Sequence, residues 1–221
     1  MSTRAGELSA RDKPLLRGWS HVVAFVAAAA LCGVLVGIAP NALARVTTIV
    51  YLAGLCAMFG VSSLYHRVRW SPAAHALVGR IDHSTIFAAI AGTYTPVAVL
   101  ALHGWERIAV LGIVWCGALV GVALEWSRVQ LPRWLFTAIY AIVGWSLLAA
   151  LPQLPGGLGW LGLGLLGGGG VAYTLGAVVY ATKRPDPWPR VFGFHEVFHL
   201  GTVIGAGLHL AAIGFVILPR A

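Results

Sequence analysis

Apolar stretches of close to twenty residues recur from one end of the chain to the other, and this recurrence decides most of what the chain can become. A stretch of that length, wound as a helix, crosses a hydrocarbon core of about 30 Å. No water satisfies the backbone inside lipid, so an apolar segment crosses as a helix that bonds itself. Seven candidate spans can be marked, at 19–38, 44–66, 78–102, 108–124, 134–151, 159–181 and 193–217. The separators carry Pro, Gly and charge: Pro40-Asn41, Arg67 to Arg80, His103 to Arg107, Glu125 to Arg133, Pro152 to Gly157, and Lys183 to Arg190. Trp19, Trp70, Trp105, Trp126, Trp134 and Trp188 stand at these ends, where interfacial aromatics belong. The sixth span holds a four-glycine run, Gly167 to Gly170, poor for helix in water but tolerated where helices pack closely.

Composition excludes a water-soluble domain. Of 221 residues, 59% are hydrophobic and only 10% charged, against roughly 25% charged in a soluble protein. The expected fold class is therefore all-α: a seven-transmembrane helix bundle over residues 19–221, preceded by a polar tail, residues 1–18. That tail leads straight into a full-length span and has no secretory signal pattern. Cys32, Cys56 and Cys116 fall in separate spans without CxxC spacing, so they read as small core residues with no disulfide or redox site.

The net charge of +8 does not require nucleic acid as a partner. Arg4, Arg11, Lys13 and Arg17 lie in the tail. Arg67, Arg69, Arg80, Arg128, Arg133, Lys183, Arg184 and Arg190 lie in the second, fourth and sixth loops. Only Arg45, Arg107 and Arg220 fall on the other side. This asymmetry places the N-terminus in the cytoplasm and the C-terminus outside, for a multi-pass protein of the plasma (inner) membrane.

Ionisable groups inside spans are costly and mark function by default. Here they are few: Ser62 with His66 at the end of the second span, Asp82 with His83 at the start of the third, and His195, Glu196 and His199 at the start of the seventh. The alternating direction of the spans brings all three sets to the cytoplasmic end, within two helical turns (on the order of 10 Å) of a basic flank. Residues four apart share a helix face, so Ser62 pairs with His66, and His195 with His199. Three imidazoles and a carboxylate at one depth suit a divalent transition metal. One Zn2+ is the expected cofactor, with His66, His195 and His199 as ligands and an open position for water. Asp82 is expected to hold that water as base or orienter, and Ser62 to bond the water or a substrate carbonyl. The plainer reading of any single membrane histidine is an interhelical hydrogen bond. It is kept for His209, roughly 21 Å along the helix from His195, and for His21, His75 and His103, read as interfacial. His83 stays open between the two. Pro96 should kink the third span, with Thr93 or Thr95 compensating the freed backbone.

Residues 195–199 spell His-Glu-x-x-His, the zinc helix of many metalloproteases. The protease reading fails on its third ligand. Position 205, where a third histidine would stand, is Gly205, and no Asp or Glu follows Glu196. Glu196 is left open between a base and a side chain facing Arg190 or Lys183.

The sequences Ser62-Ser63-Leu64-Tyr65-His66, Arg80-Ile81-Asp82-His83-Ser84, Ala91-Gly92-Thr93-Tyr94-Thr95-Pro96 and His195-Glu196-Val197-Phe198-His199-Leu200 together resemble the hemolysin III family. That family belongs with the progestin and adipoQ receptors, which include the adiponectin receptors, and is grouped with the alkaline ceramidases among proposed membrane hydrolases. The resemblance implies seven helices with the N-terminus inside. It also implies a zinc near the cytoplasmic face held by His66, His195 and His199, with Asp82 and Ser62 at its water. The expected function is zinc-dependent hydrolysis of a lipid amide or ester, with a membrane lipid as substrate or ligand. The alternatives are a zinc-stabilised membrane-homeostasis sensor without catalysis and a cytolytic pore, and no span carries the row of polar residues a pore would use.

Overall fold

The computed structural model describes residues 13–127 and 132–221. Arg4, Arg11 and Arg128, which count towards the charge asymmetry, lie outside the described residues. Among the described residues seven α-helices follow one another: α1 (Trp19–Ile38), α2 (Ala42–Arg67), α3 (Pro72–Ala101), α4 (Gly104–Trp126), α5 (Arg133–Gly144), α6 (Leu154–Thr182) and α7 (Phe194–Ala212). Among the described residues there is no β-strand. Six helices are long and apolar enough to cross a membrane, the last counted through its terminal turns to Arg220. The chain is an all-α polytopic membrane protein. Its outward faces carry large apolar side chains such as Ile108, Trp160 and Phe215, surface that a water-soluble protein of this size does not display.

Local chemistry explains the boundaries. Asn41 caps α2 by accepting from the Ala44 amide at 2.9 Å. Ser71 caps α3, and Pro72 takes the first helical position, where its missing N–H costs nothing. This is why α3 starts six residues before the apolar stretch at 78. In α6 the backbone leaves helical geometry at Gly159 (φ 65°), the residue at which the apolar stretch begins; residues 154–158 form a turn ahead of it. α3 runs unbroken through Pro96, with the Thr93 and Thr95 hydroxyls donating to the carbonyls of Ala89 and Ala91.

The fifth apolar segment departs most from a plain span. α5 stops at Gly144, and Ser146–Ala150 continues as a 3₁₀ turn. The apolar helical stretch Trp134–Ala150 is shorter than the other six spans, near the lower limit for a crossing. The cause is tertiary. The Tyr94 hydroxyl on α3 takes the Gly144 carbonyl, and Trp145 Nε1 donates to Thr174 Oγ1 on α6 at 3.0 Å. These bonds hold the chain open where glycine already disfavours helix.

α2 packs most closely on α3, and α6 on α7. Tyr51, Phe59 and Phe87 fill the interior. The cysteines are free, with Cys32 and Cys56 sulfurs in contact at 3.7 Å between α1 and α2. The glycine run is continuous helix, and its reason is visible at Gly169. A Cβ there would collide with the His209 ring of α7, so only glycine lets the two helices approach this closely.

Candidate metal centre

The last turns of α2 and the first turns of α7 meet at one end of the bundle, and the third turn of α3 lies beside them. Ser62 and His66 come from α2, His195 and His199 from α7, and Asp82 from α3. One donor nitrogen from each of His66, His195 and His199 lies within 4.8 Å of the other two. His66 Nε2 and His195 Nε2 are 3.3 Å apart. His199 is 2% exposed, and its Nδ1 has no hydrogen-bond partner among the described residues.

This arrangement fits a metal ion. Two nitrogens bound tetrahedrally to zinc at 2.0–2.1 Å stand about 3.3 Å apart, which is the spacing of the His66 and His195 nitrogens. The donor set is all imidazole, which suits zinc and the neighbouring transition metals rather than calcium or magnesium. The three histidines could therefore hold an ion. Asp82 stands outside this trio, buried on α3 and near enough to the buried Ser62 of α2 for the two to interact. A buried carboxylate free of the donor set can accept a proton.

Glu196, left open by the sequence, has both oxygens occupied. Oε1 pairs with Arg17 from the tail, and Oε2 accepts from the Gly193 amide at 2.8 Å, closing the start of α7. The partner is Arg17, not Arg190 or Lys183. The tail is bound here by its backbone as well. The Leu15 and Leu16 amides donate to the carbonyls of Arg190 and Val191 at 3.0 and 3.1 Å. Gly18, in the left-handed region at φ 80°, turns the chain against the His66 side chain, where a Cβ would lie only 2.8 Å from that of His66. Arg67 covers the Trp19 ring at 4.4 Å. Partial burial, then the nearby Arg17, hold the Lys13 ammonium below its ordinary pKa.

The other histidines separate. His75 and His103 are exposed, as interfacial residues would be. His83 turns to α4, its Nδ1 3.2 Å from Glu125 Oε1. His209 Nε2 meets the Leu166 carbonyl at 3.1 Å, an interhelical hydrogen bond. His21 is the correction. It is 3% exposed, not interfacial, and its ring stacks on His199 with centroids 3.7 Å apart and planes 6° from parallel. The signal was available: His21 opens α1 at the depth where His66 closes α2, so the depth criterion applied to every histidine would have found it.

The family described as Haemolysin-III related matches residues 9–210, nearly the whole chain. The protein belongs to the haemolysin III family. It is 30% identical to Hemolysin-3 of Bacillus cereus over 181 residues, covering 82% of this chain and 80% of that one. It is 30% identical to the heptahelical transmembrane protein ADIPOR2 of Oryza sativa subsp. japonica over 182 residues, covering 74% of this chain and 79% of the relative. The human monocyte to macrophage differentiation factor is 26% identical over 176 residues, 76% of this chain and 69% of that one. The family so defined extends to adiponectin receptor-like proteins, and its haemolysin III match takes in α1 to α6 and all but the last two residues of α7, including Ser62, His66, Asp82, His195 and His199.

Proposed function

We propose that this haemolysin III protein is a zinc-dependent hydrolase of a lipid amide or ester bond, with its site near the cytoplasmic face of the plasma membrane. The observation that carries the reading is the meeting of three imidazoles, with donor atoms within 4.8 Å of one another, near the buried Ser62 and Asp82 inside an apolar bundle. His66, His195 and His199 are the ligands. A zinc ion held there supplies Lewis acidity, polarising a carbonyl and lowering the pKa of water. Asp82 accepts the water's proton on its carboxylate and delivers it to the leaving amine or alcohol. Ser62 holds that carboxylate in place. The surrounding helices exclude bulk water, which strengthens each of these interactions. A lipid reaches such a site laterally, with its acyl chain in the bilayer.

The experiment is elemental analysis of the purified protein beside hydrolysis of a panel of ceramide-like amides and acyl esters. Wild type should carry zinc and cleave at least one class. Asp82→Asn should keep the zinc and lose cleavage. Zinc-loaded wild type that cleaves nothing in the panel would sink the hydrolase reading.

One observation favours a second reading. The ligands come from α2 and α7, which are remote in sequence, so an ion there also clasps the bundle, as in a membrane-state sensor without catalysis. In that case Asp82→Ala leaves the cellular role intact, and His66→Ala loses the fold.

A further inference from the structure

The contacts among the site imidazoles fall into two kinds. His66, His195 and His199 meet one another at steep angles of 61–75°, with centroids 4.6–5.0 Å apart. These are the edge-to-face arrangements that aromatic rings prefer. The His21–His199 contact is different, nearly parallel with centroids at 3.7 Å. Ring atoms meet at about 3.5 Å, so this contact has little lateral offset and is close to a sandwich. A sandwich of two neutral rings sets negative face against negative face and is disfavoured relative to offset or edge-on packing. It becomes favourable when one ring is electron-poor, as an imidazole is when a cation withdraws density through its nitrogen. The face of the second ring is then attracted to the positive charge.

The stack also excludes a simpler role. An imidazole binds a metal through a lone pair in the plane of its own ring. Two parallel planes this far apart cannot both contain one ion at 2.0–2.1 Å from each ring. His21 is therefore not a fourth ligand of the ion that His199 holds.

What orients His199 is otherwise unexplained. A metal-bound histidine ordinarily has its ring fixed by a hydrogen bond from its second nitrogen. Among the described residues neither ring nitrogen of His199 makes a hydrogen bond, so whichever one faces the ion the other has no such partner, and neither nitrogen of His21 has one. The ring of His21 is itself held from the side by Phe59, edge-on with centroids 5.0 Å apart. We infer that His21 is a positioning residue of the metal centre, its ring face on α1 orienting His199 in place of the customary hydrogen bond. The inference rests on the reading of His66, His195 and His199 as metal ligands. It makes α1 part of the site, although α1 contributes no ligand.

The test uses the full-length protein in detergent, with zinc affinity read by competition against a chromophoric chelator. His21→Phe keeps a ring face, and His21→Leu fills similar space without one. His21→Phe should bind zinc within a few-fold of wild type. His21→Leu should bind about 10-fold or more weakly, the usual effect of losing an orienting partner. Equal affinity of His21→Leu and wild type would overturn the inference, and so would equal loss in both variants. A second measurement needs no variant. In wild type labelled with 15N-histidine and loaded with 113Cd, metal–nitrogen coupling should appear on three histidines and be absent from His21, whose ring signals nevertheless shift on loading. Coupling to His21, or unshifted His21 signals, would overturn it. Wild type that takes up no metal would instead defeat the ligand reading on which it stands.

Discussion

α7 carries a histidine near each end, and the bundle treats the two differently. His209 has been given a backbone acceptor, the Leu166 carbonyl, and a seat against Gly169 of α6. His199, ten residues earlier, has been given other imidazoles: His195 and His66 at its edges and His21 across its face. His199 is buried and His209 half-buried, and both lie between helices, so burial alone does not separate structure from chemistry here. The partners do. A histidine whose polar atom is matched to a carbonyl fastens two helices together. His199 has no carbonyl partner of that kind: its ring meets other rings, those of His21, His66 and His195 among them, and its nitrogens are the ones available to a ligand.

The comparison breaks most sharply on metal content. His199→Ala and His66→Ala should each lower bound zinc from about one ion per chain towards none, because two imidazoles do not complete a three-ligand site. His209→Phe should leave zinc at the wild-type level. Elemental analysis after gel filtration reads all three. Undiminished metal in His199→Ala would place the ion elsewhere and remove the distinction between the two ends.

The next effect belongs to the packing end. Gly169→Ala pushes a methyl group into the His209 ring. Overpacking of this kind should destabilise the bundle by about 2 kcal/mol, seen as a lower thermal midpoint in detergent, with zinc content unchanged. Adding His209→Ala should recover part of the loss, because the ring that collides is gone. A double variant no better than the single one would show that the approach of α6 and α7 is not set at this pair.

Much of this division was legible in the sequence, but unevenly. The apolar runs locate α1, α2 and α4 to within four residues at each end, because a lipid-facing helix advertises its length through composition alone. Capping and breaks at Ser71 and Gly159 move the starts of α3 and α6, and such turns are polar details beside an apolar stretch. The interruption at Gly144 depends on Tyr94 and Thr174, which only the folded bundle brings near. In the site, spacing by four and common depth gather the three histidines with Asp82 and Ser62. His21 escaped because a histidine at a span end has an adequate interfacial explanation. The partner of Glu196 escaped because Arg17 lies 179 residues away in sequence and reaches it through a tail with no span pattern.

Glu196 sits between the site histidines His195 and His199 in sequence and yet resembles His209 in how it is matched. Its two oxygens go to Arg17 and to the Gly193 amide. Glu196→Gln keeps an oxygen for the amide and removes the charge facing Arg17. The expected cost is about 1.5 kcal/mol, the scale of one hydrogen bond to a charged group. Zinc content should hold, and hydrolysis, where it is found, should persist. In a protease of the His-Glu-x-x-His type the same change would remove the base and abolish activity. Loss of hydrolysis with zinc and thermal midpoint both intact would return Glu196 to the chemistry.

The smallest effect separates the two ends of α7 most finely. His209→Phe retains the ring's bulk against Gly169 and loses only the bond to the Leu166 carbonyl, so about 1 kcal/mol of stability should go. The same exchange at the other end, His21→Phe, removes no hydrogen bond, because neither nitrogen of His21 has a partner among the described residues. Without metal, His21→Phe should therefore melt close to wild type while His209→Phe melts lower. With zinc added, both should gain stability, by an amount set by how tightly the folded form binds the ion. If His209→Phe gains less than His21→Phe, the two ends are coupled through α7, and the packing end takes part in holding the ion after all.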